Sequence, residues 1–573
     1  MREKNKDKKI NIEYSKKDRL IMAVLTALSV SFTYFFYGPI NIYSNNKAEF
    51  IFTFKDFILP ITLAFIGAFI ILTVFVYLHK SFKINVITAA IISLFISGII
   101  DNNLINKVVY TSGDASPLSR RNLIIFFVTY FVIFYATIFV SVLLKEKWKS
   151  VLIFLCVLLF GSNAAVTVSD FATKDLIHDT DINCNYVASE KGLYEASDKE
   201  NIIVILFDRM DTKYYDSVVK KYPDYFDNMK GFTLYDSATT TYSRTFPAVS
   251  SLITDKLYLN DVPPEEYFKT AYSTSPFMND LKENGYNINL YVDKYYEYID
   301  AEVMKDYVDN VEPVTGYEPD TMRIWKYLTN LSVARNFSYW LSYTSINNAF
   351  LGRTSNLSTL VCDDGIYHDN DEQFYKSLKK NGLSPSGNAK DFKFIYLHGS
   401  HTPIILGENC EKSDNATIES QTIGSFKIVF EYLEQLKKLG VYDNSTIIIT
   451  ADHGFAISDF KNYFDCAEDG ITACMFVKPR SAQNEKLITS SAEVSIINLV
   501  PAIVQDAKLK TNHQYAESIL NIKEGDSRTR TLYQSVVSSK RKLILNEYEI
   551  KGNAKDLSNW KLKQQIKSDF SIY

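Results

Sequence analysis

At 573 residues the chain is too long for one hydrophobic core, so at least two domains are expected. Its 62 basic and 66 acidic residues leave a net charge of −4, which argues against nucleic acid as the main partner. The 39 Tyr and 38 Phe accompany few Gly and Pro, and fit overall composition better than carbohydrate stacking.

Before about residue 170 the apolar residues form long runs. Five are long enough to cross a bilayer, at roughly 20 residues each: Leu20–Ile40, Phe57–Leu78, Ile84–Ile100, Leu123–Leu144 and Val151–Val168. Buried helices of a soluble domain do not come as five such runs in succession. The first run lacks the short leader and small-residue cleavage site of a signal peptide.

Basic residues set the expected orientation. They crowd the segment before the first run, His79–Lys83, and Lys145–Lys149. These three segments share one side of a five-span chain, the cytoplasmic side by the positive-inside rule, with Arg120-Arg121 a mild exception. An odd number of spans puts everything after residue 170 outside the cytoplasm. The expected organisation is a transmembrane domain over 1–169, a polar linker over 170–199, a catalytic domain over 200–520 and a small antiparallel appendage over 521–573. Cys156 falls in the fifth run, while Cys184, Cys362, Cys410, Cys466 and Cys474 follow it, where disulfides are permitted. Cys466 and Cys474 are close enough to pair, but five is odd, and neither a C-x-x-C pair nor zinc-ribbon spacing occurs.

After the linker, three apolar runs each end in Asp or His. Asn201–Phe207 leads to Asp208, Phe392–Leu397 leads to His398-Gly399-Ser400-His401, and Thr446–Thr450 leads to Asp452-His453-Gly454. Such runs read as strands buried on both faces, the mark of a parallel sheet. Between the last two, Phe426, Val429, Phe430, Leu433 and Leu436 recur at helical spacing over Ser425–Leu439, and Gly440 suits a C-cap. Strand, helix, strand is a βαβ unit, and open α/β sheets bind ligands at the carboxyl ends of their strands.

Asp208, Asp452 and His453 are therefore the candidate ligands of a divalent ion. A mixed oxygen and nitrogen set suits Zn²⁺ or Mn²⁺. Such an ion can lower the pKa of an oxygen nucleophile for phosphoryl transfer. Hydroxyls for that role lie in Thr239–Thr245, among them Thr240, Thr241, Ser243 and Thr245.

The motifs and their order resemble the sulfatase and alkaline phosphatase superfamily over roughly residues 200–505. Thr245-x-Pro247 followed by Leu252-Ile253-Thr254 resembles the sulfatase signature Cys-x-Pro-Ser-Arg with its following Leu-Leu-Thr-Gly. Asn201–Asp208 resembles the opening strand and first metal ligand, His401-Thr402-Pro403 the His-x-Pro segment, and Tyr442–Thr446 leading to Asp452-His453-Gly454 the second ligand segment. The departures matter as well. Thr cannot yield the formylglycine that sulfatases make from Cys or Ser, and Val249 stands where their signature has Arg.

A threonine nucleophile behind membrane spans instead resembles the membrane-bound branch that includes lipoteichoic acid synthases and phosphoethanolamine transferases. That branch usually has Glu where this chain has Asp208. The resemblance implies an N-terminal bundle of five transmembrane helices followed by an α/β alkaline-phosphatase-like domain with a central, mostly parallel sheet. It implies Thr245 as nucleophile and metal ligand, with His401 at the substrate or leaving group. It further implies transfer of a phosphoglycerol or phosphoethanolamine type headgroup from a membrane phospholipid to an extracytoplasmic polymer, glycan or lipid.

Plainer roles stand beside these. Asp208 and Thr245 could simply cap helices, His398 could be a satisfied core histidine, and Asp211 a turn residue. His368 lies in an acidic loop that reads as solvated surface, and Arg244 could pair with phosphate. The rival functions are an anchored hydrolase of the same fold and a non-catalytic, glycan-binding homologue.

Overall fold

Long apolar helices make up the N-terminal part because its sequence offers few breaks. The computed structural model describes residues 13–47, 50, 52–100, 120–177, 186–292, 301–336, 357–454, 472–480, 482–537 and 542–570. Contacts divide the chain into two units, residues 1–183 with 316–361, and residues 184–315 with 362–573.

The first unit holds α1 (Lys16–Phe32), a π-helical turn (Thr33–Tyr37), α2 (Gly38–Asn45), α3 (Phe54–Tyr77), α4 (Phe82–Ile100), α5 (Arg120–Leu144) and α6 (Trp148–Thr173). Ser15 caps α1 by accepting from the Asp18 N–H, and Thr53 with Asp56 forms a capping box at α3. Among the described residues, three helical runs are long and apolar enough to cross a membrane: Lys16–Asn45, Phe54–Tyr77 and Phe127–Thr173. This corrects the expectation of five spans. The expected third span lies on α4, whose described apolar stretch Phe82–Gly98 is shorter. The expected fourth and fifth lie on one helical run, because a 3₁₀ turn at Lys145–Lys147 joins α5 to α6. Charge there interrupts the hydropathy, and Lys145 takes φ +51°, yet the helical run continues. Leu63, Ile71, Phe139 and Val168 are all at least 60% exposed, a surface suited to hydrocarbon rather than water.

The same unit includes a later segment. Gly316–Pro319 pairs antiparallel with Ser358–Val361, and the helix Thr321–Asn336 buries Ile324, Tyr327 and Leu328 against Ile40, Tyr43 and Phe57. The Ser332 hydroxyl donates to the Tyr34 carbonyl at 2.7 Å. Gly38 makes room for it, since a Cβ there would lie 1.9 Å from Ser332 Oγ.

The second unit is built on a seven-stranded sheet: β1 (Glu200–Phe207), β2 (Thr233–Tyr235), β3 (Asn287–Tyr291), β4 (Lys390–Leu397), β5 (Ser445–Ala451), β6 (Phe476–Lys478) and β7 (Ile488–Ser490). Its order is β7-β2-β6-β5-β1-β4-β3. The β3-β4, β4-β1, β1-β5 and β2-β7 ladders are parallel, while β5-β6 and β6-β2 are antiparallel, so the sheet is mixed but mostly parallel.

Buried residues cover both faces, as the unbroken apolar runs require. Ile203, Ile205, Phe207, Ile447 and Ile449 pack on one face, and Ile202, Val204, Leu206 and Ile448 on the other. The helix between β4 and β5, α8 (Ile418–Lys438), begins earlier than its periodicity suggests because Thr417 and Ser420 form a capping box. Gly440 follows it at φ +72°. The strands on either side of α8 do not pair with each other, because β1 lies between them. Near the C-terminus, β8 (Arg530–Val537), β9 (Leu543–Ile550) and β10 (Trp560–Lys567) form a separate antiparallel sheet.

Gly399, just beyond β4, has φ +57°, and a Cβ there would lie 2.8 Å from the Asp208 carbonyl oxygen. Left-handed backbone costs an L-residue about 1–2 kcal/mol before any clash is counted. Gly399→Ala is expected to lower the thermal midpoint of the detergent-solubilised protein more than Gly440→Ala, whose position faces open space. Equal midpoints would show that the loop yields freely.

Candidate active site

Strand register assembles the site. Phe207 at the end of β1 pairs with Leu397 of β4 and Ala451 of β5, so Asp208, His398 and Asp452 leave the sheet at one level. Asp208 and Asp452 are fully buried, and His453 is 9% exposed. One ligand atom from each of Asp208, Asp452 and His453 can be chosen so that all three lie within 4.8 Å of one another.

The oxygens of each carboxylate are in different circumstances. Asp208 Oδ2 accepts from the Tyr396 hydroxyl at 2.6 Å, and Asp452 Oδ1 accepts from the Arg209 and His453 N–H groups at 3.0 and 2.8 Å. Asp208 Oδ1 and Asp452 Oδ2 have no hydrogen-bond partner. They lie 3.7 and 3.5 Å from His453 Nε2. His453 Nδ1 is 2.8 Å from the Gly454 carbonyl, which can only accept, so Nδ1 carries the proton and Nε2 presents its lone pair to the two oxygens. Gly454 is required where it stands, because a Cβ would fall 2.2 Å from the Thr472 carbonyl.

Thr245 opens α7 (Thr245–Thr254), and its Oγ1 lies 3.3 Å from His453 Nε2. The other hydroxyls in that stretch are placed differently. Thr240 donates to the Tyr242 carbonyl, and Ser243 Oγ accepts from the Ser535 N–H at 3.0 Å. The carbonyl of buried Thr241 accepts from the Tyr533 N–H at 2.8 Å. Strand β8 thereby supports the approach to Thr245.

Two orphaned, buried carboxylate oxygens facing an imidazole lone pair and a hydroxyl make a set that fits a divalent cation. Without one, burial and then the neighbouring Asp452 charge push the Asp208 carboxyl well above the usual carboxylate range, against the Tyr396 hydrogen bond.

His401 sits in the loop after β4, and its ring stands 5.7 Å from that of His398. Burial first, then the neighbouring charges of His398 and Arg209, hold its pKa down to about 4, against the hydrogen bond to the Thr402 carbonyl. His401 Nδ1 is 2.6 Å from the Thr402 carbonyl, so Nδ1 is protonated and Nε2 can accept a proton. His398 is a buried, structurally tied residue. Its N–H donates to Asp371 Oδ1 at 2.8 Å, and its Nδ1 is 3.7 Å from Asp369. Burial opposes protonation of His398, but Asp369 and Asp371 outweigh it and raise its pKa. Asp371 is itself pushed up to about 6 by burial.

Asp211 serves as a helix N-cap by accepting from the Lys213 N–H, and also accepts from the Thr472 hydroxyl at 2.9 Å. Arg244 is exposed just before α7, and His368 is exposed in its loop. Cys466 lies outside the described residues, as does Cys184. Sequence reasoning missed Tyr396, the Arg209 N–H, Asp369 and Asp371. Only the register between strands reveals Tyr396.

The sulfatase family model matches residues 200–508. No curated protein matches the chain. Among solved structures, the chain is similar to the lipoteichoic acid synthase LtaP of Listeria monocytogenes, at 13% identity over 63% of this chain and 87% of that one, with a TM-score of 0.34. It is also similar to an alkaline phosphatase superfamily protein of Vibrio parahaemolyticus, at 13% identity over 67% and 87%, TM-score 0.36. A third is the phosphonate monoester hydrolase SpPMH of Silicibacter pomeroyi, at 12% identity over 63% and 92%, TM-score 0.35.

Asp452→Asn removes one of two neighbouring buried charges, so in chelator the variant is expected to melt above the parent chain. Adding Zn²⁺ or Mn²⁺ at 100 times its dissociation constant should stabilise the parent by about 2.7 kcal/mol. The variant should lose that response. A metal response of equal size in both would remove Asp452 from the ligand set.

Proposed function

The chain belongs to the sulfatase family, and from that premise we propose that it is a membrane-anchored phosphotransferase. It moves a phosphoglycerol or phosphoethanolamine type headgroup from a membrane phospholipid to an extracytoplasmic acceptor, by way of a phospho-threonine at Thr245. The observation that carries this reading is the Thr245 hydroxyl 3.3 Å from His453 Nε2, beside the orphaned oxygens of Asp208 and Asp452. Threonine cannot become formylglycine, so the same position supports a phosphoryl rather than a sulfatase nucleophile.

Asp208, Asp452, His453 and Thr245 would hold the divalent cation, Zn²⁺ or Mn²⁺. When bound, it supplies a lowered hydroxyl pKa and offsets charge gathering on phosphate oxygens. In the first half-reaction Thr245 Oγ bonds to phosphorus, the phosphorus–oxygen bond to diacylglycerol breaks, and the threonine proton leaves with the alcohol. In the second half-reaction an acceptor hydroxyl or amine bonds to phosphorus and releases Thr245. His401 is the candidate for proton transfer there, because its Nε2 lone pair is available.

The three apolar helical runs support attachment to a membrane. Three crossings, like five, would leave the chain after Thr173 on the side opposite its basic N-terminus. The positive-inside rule makes that side extracytoplasmic, where outer-leaflet phospholipid and envelope acceptors are found. An anchored hydrolase, with water as acceptor, is the second reading that the same site chemistry allows.

Incubation of the full chain with total lipid and a divalent cation is expected to add one headgroup phosphate to Thr245, seen by mass spectrometry, and to release diacylglycerol. Thr245→Ala should lose the adduct and about 10³-fold or more of the turnover. Full turnover in that variant would sink the mechanism. Free headgroup phosphate as sole product, with acceptor present, would favour the hydrolase.

A further inference from the structure

The loop that carries His401 is held by two buried side chains that the chemistry above does not use. At its start the Asp371 carboxylate, 5% exposed, accepts from the His398 N–H at 2.8 Å and from the Gly399 N–H at 3.1 Å. The Ser400 N–H then donates to the Asp208 carbonyl at 2.9 Å, and the His401 N–H to the His398 carbonyl at 3.1 Å. His401 thus follows directly on a residue tied to the backbone of the cage that Asp208, Asp452 and His453 form.

Gln421 joins the two legs of this loop. It lies in the first turn of α8 and is 1% exposed. Its Oε1 accepts from the Ile405 N–H at 3.0 Å and the Leu406 N–H at 2.7 Å, while its Nε2 donates to the Gly399 carbonyl at 2.6 Å. The backbone partners fix which way the amide points, because the two N–H groups can only donate and the carbonyl can only accept. Gly424, one turn on, lets α8 come close to the loop's end, since a Cβ there would lie 2.4 Å from the Gly407 carbonyl oxygen. Between the joined legs Thr402, Pro403 and Ile405 are exposed, so burial does little to fix this segment. One buried amide gives all three of its hydrogen bonds to the backbone of one loop.

We infer that Gln421 is a positioning residue: it closes the His398–Leu406 loop and thereby sets where the His401 ring stands for proton transfer. The role of His401 rests on the phosphotransfer reading, whereas the closing of the loop is independent of any turnover. Without the amide, the leg after His401 loses two N–H partners and the leg before it loses a carbonyl partner. Displacement of a proton-transfer group by about 1 Å can cost on the order of 10²-fold in rate.

Hydrogen exchange and turnover test the two parts separately, both on the full chain in detergent. Gln421→Met keeps the length of the side chain and removes all three bonds. The Ile405 and Leu406 amides should then exchange at least about 10-fold faster. Release of diacylglycerol from mixed phosphatidylglycerol and phosphatidylethanolamine vesicles, with Zn²⁺ or Mn²⁺ added, should fall about 10–100-fold. His401→Ala should cost at least as much. The double variant should be no slower than His401→Ala alone, because Gln421 acts only through that ring. Gln421→Glu keeps an oxygen for both N–H groups, and burial against the Gly399 carbonyl favours its protonated form, which can still donate. It should run close to the parent chain at low pH and fall behind as rising pH removes that proton, and it covers the case of a Gln421→Met chain that does not fold. Unchanged exchange in Gln421→Met, or in Gln421→Glu at high pH, would overturn the clamp. Losses that multiply in the double variant would overturn action through His401. A parent chain that releases no diacylglycerol would instead sink the phosphotransfer reading, and the exchange rates would still decide the clamp.

Discussion

Two carboxylates buried side by side are the constraint around which the catalytic unit is arranged. Neither Asp208 nor Asp452 has measurable exposure, and the Asp452 charge raises the cost of charging Asp208. A fold that only needed stability would place apolar residues at these strand ends. Here the backbone N–H groups of Arg209 and His453 and the Tyr396 hydroxyl anchor one oxygen of each acid, and the other two oxygens face an imidazole lone pair. Compensation is arranged on the side away from the cage, which is how a site kept ready for a cation differs from a satisfied polar core.

Holding that arrangement depends on register more than on any single contact. Parallel pairing of β1 with β4 and β5 puts Phe207, Leu397 and Ala451 level, so a shift by one residue would carry a ligand to the other face of the sheet. The apolar residues of β1 and β5 are buried on both faces, which makes such a shift expensive. Thr245 comes from outside this frame. The segment leading to it runs beside β8, where Tyr242, Ser243 and Thr241 exchange contacts with Tyr533 and Ser535. The C-terminal sheet therefore contributes to the site through support of the threonine rather than through any ligand.

What the sequence shows of this follows the range of each physical signal. Strands buried on both faces leave uninterrupted apolar runs, and the Asp or His that ends each run is visible beside it, so Asp208, Asp452 and His453 are legible locally. Choosing Thr245 over Thr240, Thr241 and Ser243 from residues alone is not possible, because the difference is where each hydroxyl points. Tyr396 reads as one more apolar strand residue until β4 is laid against β1. The segment 316–336 carries no mark in the sequence of its packing on Ile40, Tyr43 and Phe57. Hydropathy also divides the helical run Phe127–Thr173 in two, since it registers charge at Lys145–Lys147 but not the helical turn that carries the chain through it.

The two units are suited to different solvents. Leu59, Ile71, Phe139 and Val168 turn large apolar side chains outward in the helical unit, which water penalises at about 25 cal/mol per Å² and hydrocarbon does not. The sheet unit instead keeps its apolar residues in two continuous clusters and gathers Asp208, Asp452 and His453 at the carboxyl ends of its strands. A soluble substrate would use only the second of these properties. The proposed phospholipid donor has both characters in one molecule, acyl chains suited to an apolar surface and a phosphodiester suited to Thr245 and its neighbours. On the proposed reading, the apolar surface brings the donor to the enzyme by partitioning, so the site needs few contacts of its own to the lipid and can commit its polar groups to the phosphoryl group.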